Sequence, residues 1–511
     1  MSPHSGSLAG PREIELKFLL PPGSRTGLEA HPVLAAAAAV QSRLVTTYFD
    51  TPDGRLKRAG LTLRVRRCDE GRIQTVKSEP NGESLAVDRV EWEWPIDQDT
   101  PDTAKLATIK PIKALGSALD GGLQPMFVAD IQRHTLRIRL DEATVVEVAF
   151  DEGTIAAGPR TEAVSEIELE LKSGRVGALY RLAATLQAAA PLCLSSETKA
   201  ARGWRLRSGQ GEGAAPAQPV KLNRKIRADE AFRQLLSQAL GHLRANIGPM
   251  LRGNVEGLHQ SRVAIREARA VLQLFAPYLD GASAKRFASR LRDYGVILGE
   301  ARDWDVFCLE TIPAAIADRP AESWNRLRAA AEFERGQAHE AVTLAARGSE
   351  VTQLVLGLMT WAEDGAIKPS CRANLRRRRL ADLAPFLLER PAARVRRKGR
   401  DVGRLSQEAR HDLRKSLKKL RYDVGYLGCF YPKDEVRRYR RRSKAVEEML
   451  GPANDAVVAR QLARRLEAAH PAEVSQAAEA LESWCEARER KALRGVEAAI
   501  HDLRRARPFW E

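Results

Sequence analysis

The stretch that most constrains what this chain can fold into is Glu13-Ile14-Glu15-Leu16-Lys17-Phe18. Side chains of a β-strand alternate between its two faces, so Glu13, Glu15 and Lys17 share one face and Ile14, Leu16 and Phe18 the other. A lone strand of this kind suits any antiparallel sheet with one wet side. The alternation returns, however, at Leu63 to Arg66, Ile73 to Lys77, Arg89 to Trp94, Arg133 to Leu140, Val146 to Asp151 and Glu166 to Leu171. Carboxylates dominate the first of these charged faces and those near the end, with guanidinium and ammonium groups between. A closed antiparallel barrel with its charged faces inward, and its apolar faces packed outward against helices, brings both sets around one channel.

Such a channel is costly to leave empty, because unpaired buried charge is expensive. A polyphosphate chain neutralised by Arg and Lys, with a divalent cation held by the carboxylates, would fill it. Mg²⁺ or Mn²⁺ prefers hard oxygen ligands, and carboxylates at i and i+2 on each of two strands provide them. Phosphoryl transfer depends mainly on positioning and on spreading negative charge over cations, so no nucleophilic side chain is required. The sequence leaves open whether a metal or a carboxylate activates the attacking water.

At 511 residues with 44% hydrophobic content the chain is long enough for two or more domains with their own cores. Residues 1–210 carry 27 Lys and Arg against 27 Asp and Glu, so the whole excess of +17 falls in the second part. That asymmetry predicts a polyanionic partner for the second part. Ala30 to Val40 is expected to be helical, and Thr47 to Asp50 a strand running into the turn Thr51 to Gly54. Residues 208–220, rich in Gly, Ala and Pro, form a linker between a first domain at 10–207 and a second at 221–511. No apolar run approaches a membrane span and the N-terminal residues show no signal pattern, so a cytoplasmic location is expected. The six cysteines are scattered singly, which predicts reduced and mostly buried thiols.

Beyond the linker, strand patterns give way to long Ala-, Leu-, Arg- and Glu-rich stretches that predict helices. This half matches itself at an offset of 152 residues without gaps: Leu258 to Arg269 aligns with Arg410 to Arg421, and Leu298 to Asp303 with Leu450 to Asp455. On a helix, positions 0, 3, 7 and 10 fall within a narrow arc. His259, Arg262, Arg266 and Arg269 therefore form one basic stripe, and His411, Arg414, Lys418 and Arg421 its counterpart.

Glu13 to Lys17, Tyr48-Phe49-Asp50-Thr51, Leu63 to Arg66, Thr75 to Lys77, Arg89 to Glu93, Phe150 to Gly153, Ser165 to Glu170 and Lys199 to Gly203 resemble, in order, the CYTH domain of the triphosphate tunnel metalloenzymes. The resemblance implies an eight-stranded antiparallel tunnel with flanking helices that hydrolyses or cyclises triphosphate substrates with Mg²⁺ or Mn²⁺. By motif, Glu13, Glu15, Glu166 and Glu168 correspond to metal ligands. Lys17, Arg64, Arg66, Lys77, Arg133 and Lys199 correspond to triphosphate contacts, and Glu91, Glu93 and Asp151 to acidic tunnel positions. Two registers stay open: Glu170 could take part in the carboxylate pair, and Arg137 could replace Arg133.

The His-x-x-Arg-x-x-x-Arg/Lys-x-x-Arg pattern, with Gly299 to Asp305 and Gly451 to Asp455, resembles the CHAD domain. That resemblance implies an all-α pair of pseudo-symmetric four-helix bundles whose basic stripes bind inorganic polyphosphate. Together the two imply an inorganic triphosphatase acting on tripolyphosphate. The alternatives are a polyphosphate-binding protein targeted to polyphosphate granules, or a tunnel enzyme acting as a thiamine triphosphatase or adenylate cyclase. Aromatic residues are only 5% of the chain and no base-stacking motif accompanies the basic stripes, which argues against nucleic acid as the partner.

Overall fold

The computed structural model describes residues 12–68, 71–79, 84–116, 122–211, 213–318 and 323–511; residues 10 and 11, the expected start of the first domain, lie outside this set. The chain divides into two compact units. One comprises residues 1–216, 237–261 and 345–364; the other comprises 217–236, 262–344 and 365–511.

In the first unit the strands are β1 (Arg12–Leu19), β2 (Val40–Asp50), β3 (Leu61–Cys68), β4 (Gly71–Ser78), β5 (Val87–Ile96), β6 (Gln124–Arg139), β7 (Val145–Ala157), β8 (Arg160–Ser173) and β9 (Cys193–Ser195). They run in the order β5-β4-β3-β2-β6-β7-β8-β1-β9, and β1 also pairs with β5. That second pairing closes the first eight strands into an antiparallel barrel, with β9 added along β1.

Directly opposed residues of an antiparallel pair lie on the same face, so the register identifies the lining. Glu13 lies opposite Arg89, Lys77 opposite Glu91, Arg64 opposite Thr75 and Lys17 opposite Glu168. The alternate residues face outward. Leu61, Leu63, Val65 and Val76 pack with Leu56, Leu106, Ile109 and Ile112 from short helical turns at Arg55–Arg58, Thr103–Leu106 and Lys110–Lys113. Buried Asp50 fixes the first of these turns by accepting backbone hydrogen bonds from Leu56 (2.8 Å) and Lys57 (2.9 Å). Elsewhere Leu179, Leu182 and Leu186 of the Val176–Ala189 helix are buried, and that helix packs against Ser349–Asp364.

The lining is not charged throughout, as the sequence had led us to expect. Leu44, Tyr48, Phe127, Ala129, Ile131, Ile155 and Val164 form an apolar cluster with Ala200 of the Lys199–Ser208 helix. Phe127 lies between Tyr48 (4.7 Å) and Trp204 (5.7 Å). A Cβ on Gly203 would come within 2.1 Å of the Phe127 ring, so only glycine lets this helix approach so closely. Apolar filling avoids the desolvation cost that further charges would incur here. Helix in the Ala30 to Val40 stretch is confined to Pro32–Ala35, because the chain enters β2 at Val40 and pairs there with Thr135. Cross-strand pairing overrides alanine's helical preference.

The second unit is helical among its described residues. Ala228–Leu251, Val255–Leu274 and Gly281–Val306 each begin 152 residues before Leu380–Lys398, Gln407–Leu427 and Lys433–Ala469. The sequence repeat is thus a repeat of helices. Among the described residues no helix is long and apolar enough to cross a membrane. All six cysteines are free; Cys193, Cys308 and Cys485 are buried, Cys68 and Cys371 half-buried and Cys429 exposed.

Candidate active site

Two adjoining strand pairings build the core of the site. The β7–β8 register sets Asp151 opposite Glu166, and the β8–β1 register sets Glu168 opposite Lys17. One oxygen from each of Asp151, Glu166 and Glu168 lies within 4.8 Å of the others. Three cations converge on them. Lys17 Nζ is 3.0 Å from Glu166 and 2.6 Å from Glu168, and Arg133 is 2.6 Å from Asp151 and 2.7 Å from Glu168. Lys199 Nζ, from the first turn of its helix, is 3.1 Å from Glu168 and also pairs with Glu166. One turn on, buried Arg202 reaches Glu166 at 3.5 Å.

Burial alone would raise the Glu168 carboxyl, but Lys17, Lys199 and Arg133 overcome it and hold the group well below the usual range. The Asp151 carboxyl is likewise lowered against its burial by Lys199 and Arg133. Close, ionised carboxylate oxygens are the hard donor set that suits Mg²⁺ or Mn²⁺.

Glu13 and Glu15 sit in a neighbouring cage. Arg89 is 2.9 Å from Glu13 and 2.8 Å from Glu15, while Lys77 is 2.9 Å from Glu13 and 3.1 Å from Glu91. Burial would raise the Glu13 carboxyl, yet Lys77 and Arg89 bring it down to about 2. Burial lowers the Lys77 ammonium, helped by Arg89 and Arg64, and raises the Glu91 carboxyl. Arg64 is held loosely, 3.5 Å from Glu91 and 4.0 Å from Glu93. The four carboxylates expected to share one metal therefore fall into two neighbouring groups: Glu13 and Glu15 with Arg89 and Lys77, and Glu166 and Glu168 with Asp151.

Arg66 differs from the other cations. Its Nε is buried without a hydrogen-bond partner, and among the described residues its guanidinium has no ion-pair partner. Burial first, then Arg64 and Arg133, push it down to about 10. The open registers also resolve. Arg133 reaches the acid cluster while Arg137 is exposed, and Glu170 pairs with Lys172 at 2.7 Å. Sequence reasoning gave no role to Arg89 or Arg202. The signals were present: Arg89 shares a strand face with Glu91, and Arg202 lies one helical turn from Lys199.

The basic stripes run along Val255–Leu274 and Gln407–Leu427. Arg262 meets Asp303 at 3.3 Å and Arg414 meets Asp455 at 3.7 Å, the same pair in each copy at the 152-residue offset. His411 Nδ1 is 2.7 Å from Asn454 Oδ1, and Arg421 is 3.6 Å from Glu447. Arg266 Nε and Arg269 Nε are buried without hydrogen-bond partners. Burial lowers the Lys418 ammonium to about 7, reinforced by Arg414, Arg266, Arg262 and Arg421. Arg266 is lowered first by burial and then by Arg262, Arg421 and Arg414, so residues of both stripes contribute to one positive field.

A closed eight-stranded tunnel with an ionic interior, joined in one chain to a duplicated helical module, defines a two-domain tunnel protein. Residues 11–204 match the CYTH domain and residues 234–464 the CHAD domain, so the chain carries a CYTH domain followed by a CHAD domain. Over 203 residues it is 36% identical to the inorganic triphosphatase of Haemophilus influenzae, which covers 39% of this chain and 56% of that protein. The chain therefore spans little more than half of that relative. The crystal structure of the CHAD domain from the plant Ricinus communis matches with 25% identity and a TM-score of 0.51, covering 58% of this chain and 99% of that one.

Proposed function

We propose that the chain is a metal-dependent inorganic triphosphatase that hydrolyses tripolyphosphate to pyrophosphate and phosphate, and that its CHAD domain binds inorganic polyphosphate. The observation that carries this reading is the meeting of three carboxylates, Asp151, Glu166 and Glu168, with Lys17, Arg133 and Lys199 inside a barrel where Arg66 has no ion-pair partner among the described residues. A bound triphosphate gives Arg66 the anion it lacks and gives the lysines phosphate oxygens to share with the carboxylates. The 36% identity to an inorganic triphosphatase supports the same substrate.

Glu166 and Glu168 with Asp151 would hold the divalent cation, with Glu13 and Glu15 at the adjoining position. When bound, the cation supplies Lewis-acid polarisation of a phosphoryl oxygen. The chain's own residues do the rest. Arg64, Arg66, Lys77 and Arg133 fix the phosphate chain and spread the charge that develops as the terminal phosphorus–oxygen bond breaks. Lys17 and Lys199 hold the carboxylates ionised and oriented until substrate arrives. Water adds to the terminal phosphorus, the bridging oxygen leaves with pyrophosphate, and the proton passes to solvent. In the CHAD domain the paired stripes, with their buried and partnerless Nε atoms on Arg266 and Arg269, attract a longer polyanion.

³¹P NMR of tripolyphosphate incubated with the full chain and Mg²⁺ tests the reading. Pyrophosphate and phosphate should appear in equal amounts, and a chelator should stop the reaction. An unchanged tripolyphosphate spectrum with either Mg²⁺ or Mn²⁺ would overturn it.

A further inference from the structure

A second basic site lies in the first unit, lined by residues other than those of the tunnel's acid cluster. A pocket of about 650 Å³ is bounded by Arg160 at the start of β8, by Arg205 and Gly209 at the end of the Lys199–Ser208 helix, by Gly211 just after it, and by Arg252 and Asn254 before the Val255–Leu274 helix. Three guanidinium groups thus meet at one cavity. Arg205 is held on two sides, 3.0 Å from Glu197 and 2.8 Å from Glu162, and Arg252 is 3.2 Å from Glu197. Arg160 has no carboxylate partner among the described residues; it donates to the carbonyl of Leu206 at 2.8 Å. Among the described residues, the three lining arginines pair with two glutamates, Glu162 and Glu197, an excess of one positive charge. The positive end of the Val255–Leu274 helix dipole adds to it. Gly209 and Gly253 take positive φ (72° and 76°), and a Cβ on Gly209 would come within 3.1 Å of the Arg160 guanidinium. A side chain there would press on that guanidinium, and the left-handed backbone at Gly209 itself favours glycine.

We propose that this pocket binds a short condensed phosphate, an anion of the diphosphate or triphosphate class, at a site separate from the tunnel. The forked donors of Arg160 and Arg252 match the oxygens of adjacent phosphoryl groups, and Arg205 is preorganised by its two glutamates. The cavity has room for more than a single phosphate. The Lys199–Ser208 helix carries Lys199 to the tunnel cluster and Arg205 to this pocket, so the same element serves both anion sites.

Because the tunnel and the basic stripes also attract phosphate, the test needs a local readout. Hydrogen–deuterium exchange of the full chain would be followed at residues 205–211 and 248–254 with added pyrophosphate. Slowed exchange is expected there in the wild type. In the Arg160→Gln/Arg252→Gln variant the concentration needed should rise at least about tenfold, as for loss of two charge-assisted contacts. Arg66→Gln and Lys418→Gln should leave it within about twofold, since neither residue lines the pocket. Orthophosphate should protect these segments more weakly than pyrophosphate. Both substituted arginines are exposed, and unchanged exchange elsewhere would confirm that the variant is folded. Absence of protection in the wild type, or protection that survives the double substitution, would overturn the proposal. Equal protection by orthophosphate would overturn the assignment to a condensed phosphate.

Discussion

Lys17 and Glu168 face each other across the β1–β8 pair, and their charges meet at 2.6 Å. The lysine occupies the carboxylate that the cation would use, so under the proposed function cation and lysine would compete for Glu168. Replacing Lys17 by methionine should tighten Mn²⁺ binding a few-fold while slowing triphosphate hydrolysis at least about tenfold, since a cation that neutralises substrate is gone. Mn²⁺ titration by electron paramagnetic resonance and a phosphate-release assay measure the two effects. Weakened metal binding together with unchanged turnover would contradict this assignment.

Arg66 has its Nε sealed from solvent and no ionic partner among the described residues. A buried charge without an ionic partner costs the free protein stability. Arg66→Met should leave the free protein as stable or stabilise it by about 1–2 kcal/mol, as replacement of buried charge by apolar groups often does. The same variant should raise KM for tripolyphosphate about tenfold or more. Denaturant unfolding and steady-state kinetics check both; destabilisation with unaltered KM would assign Arg66 a structural role.

Acid should loosen the barrel in a defined window. The Glu13 carboxyl lies at about 2 in the folded chain against an ordinary 4.5, and Asp151 and Glu168 are also lowered. A group with a depressed folded value stabilises fully above its unfolded value and loses that contribution as pH falls through the folded one. Glu13 alone corresponds to about 3 kcal/mol. Unfolding free energy measured by denaturant should fall from about pH 5 toward pH 2 by that amount or more. Glu13→Gln should start less stable, with Lys77 and Arg89 deprived of a partner, and should show a shallower decline.

Polyphosphate binding by the CHAD domain should depend on pH near neutrality. Lys418 titrates at about 7 among Arg262, Arg266, Arg414 and Arg421, with Glu447 beside them. A polyanion favours the protonated lysine, so affinity should fall as pH rises from 6 to 8.5, by at most about tenfold per unit. Lys418→Arg should bind with a flatter profile in that range, and Lys418→Ala more weakly with a flatter profile. Fluorescence anisotropy with labelled polyphosphate at constant ionic strength reads this directly.

Much of this architecture could be read from the residues. Period-two alternation placed Glu13, Glu15 and Lys17 on one face, and the 152-residue repeat anticipated helices that begin at Val255 and Gln407. What the alternation could not supply was register. Asp151 joins Glu166 and Glu168 only because β7 and β8 pair as they do. The apolar end of the barrel was hidden for a similar reason: Leu44, Phe127 and Ile155 alternate like outward residues until pairing assigns them inward. Arg202 escaped because its role needs the Lys199–Ser208 helix to dock on the barrel, which depends on Gly203 meeting Phe127. The basic pocket was invisible, since Arg160, Arg205 and Arg252 come together only by folding.

The most direct test compares phosphate release from tripolyphosphate by the full chain and by its Glu166→Gln/Glu168→Gln variant, both with saturating Mg²⁺ or Mn²⁺. Activity that requires the cation and falls at least about 100-fold in the variant is predicted, as for loss of the main electrostatic support of a phosphoryl transfer. Equal rates in the two proteins, with the variant shown to be folded, would contradict it.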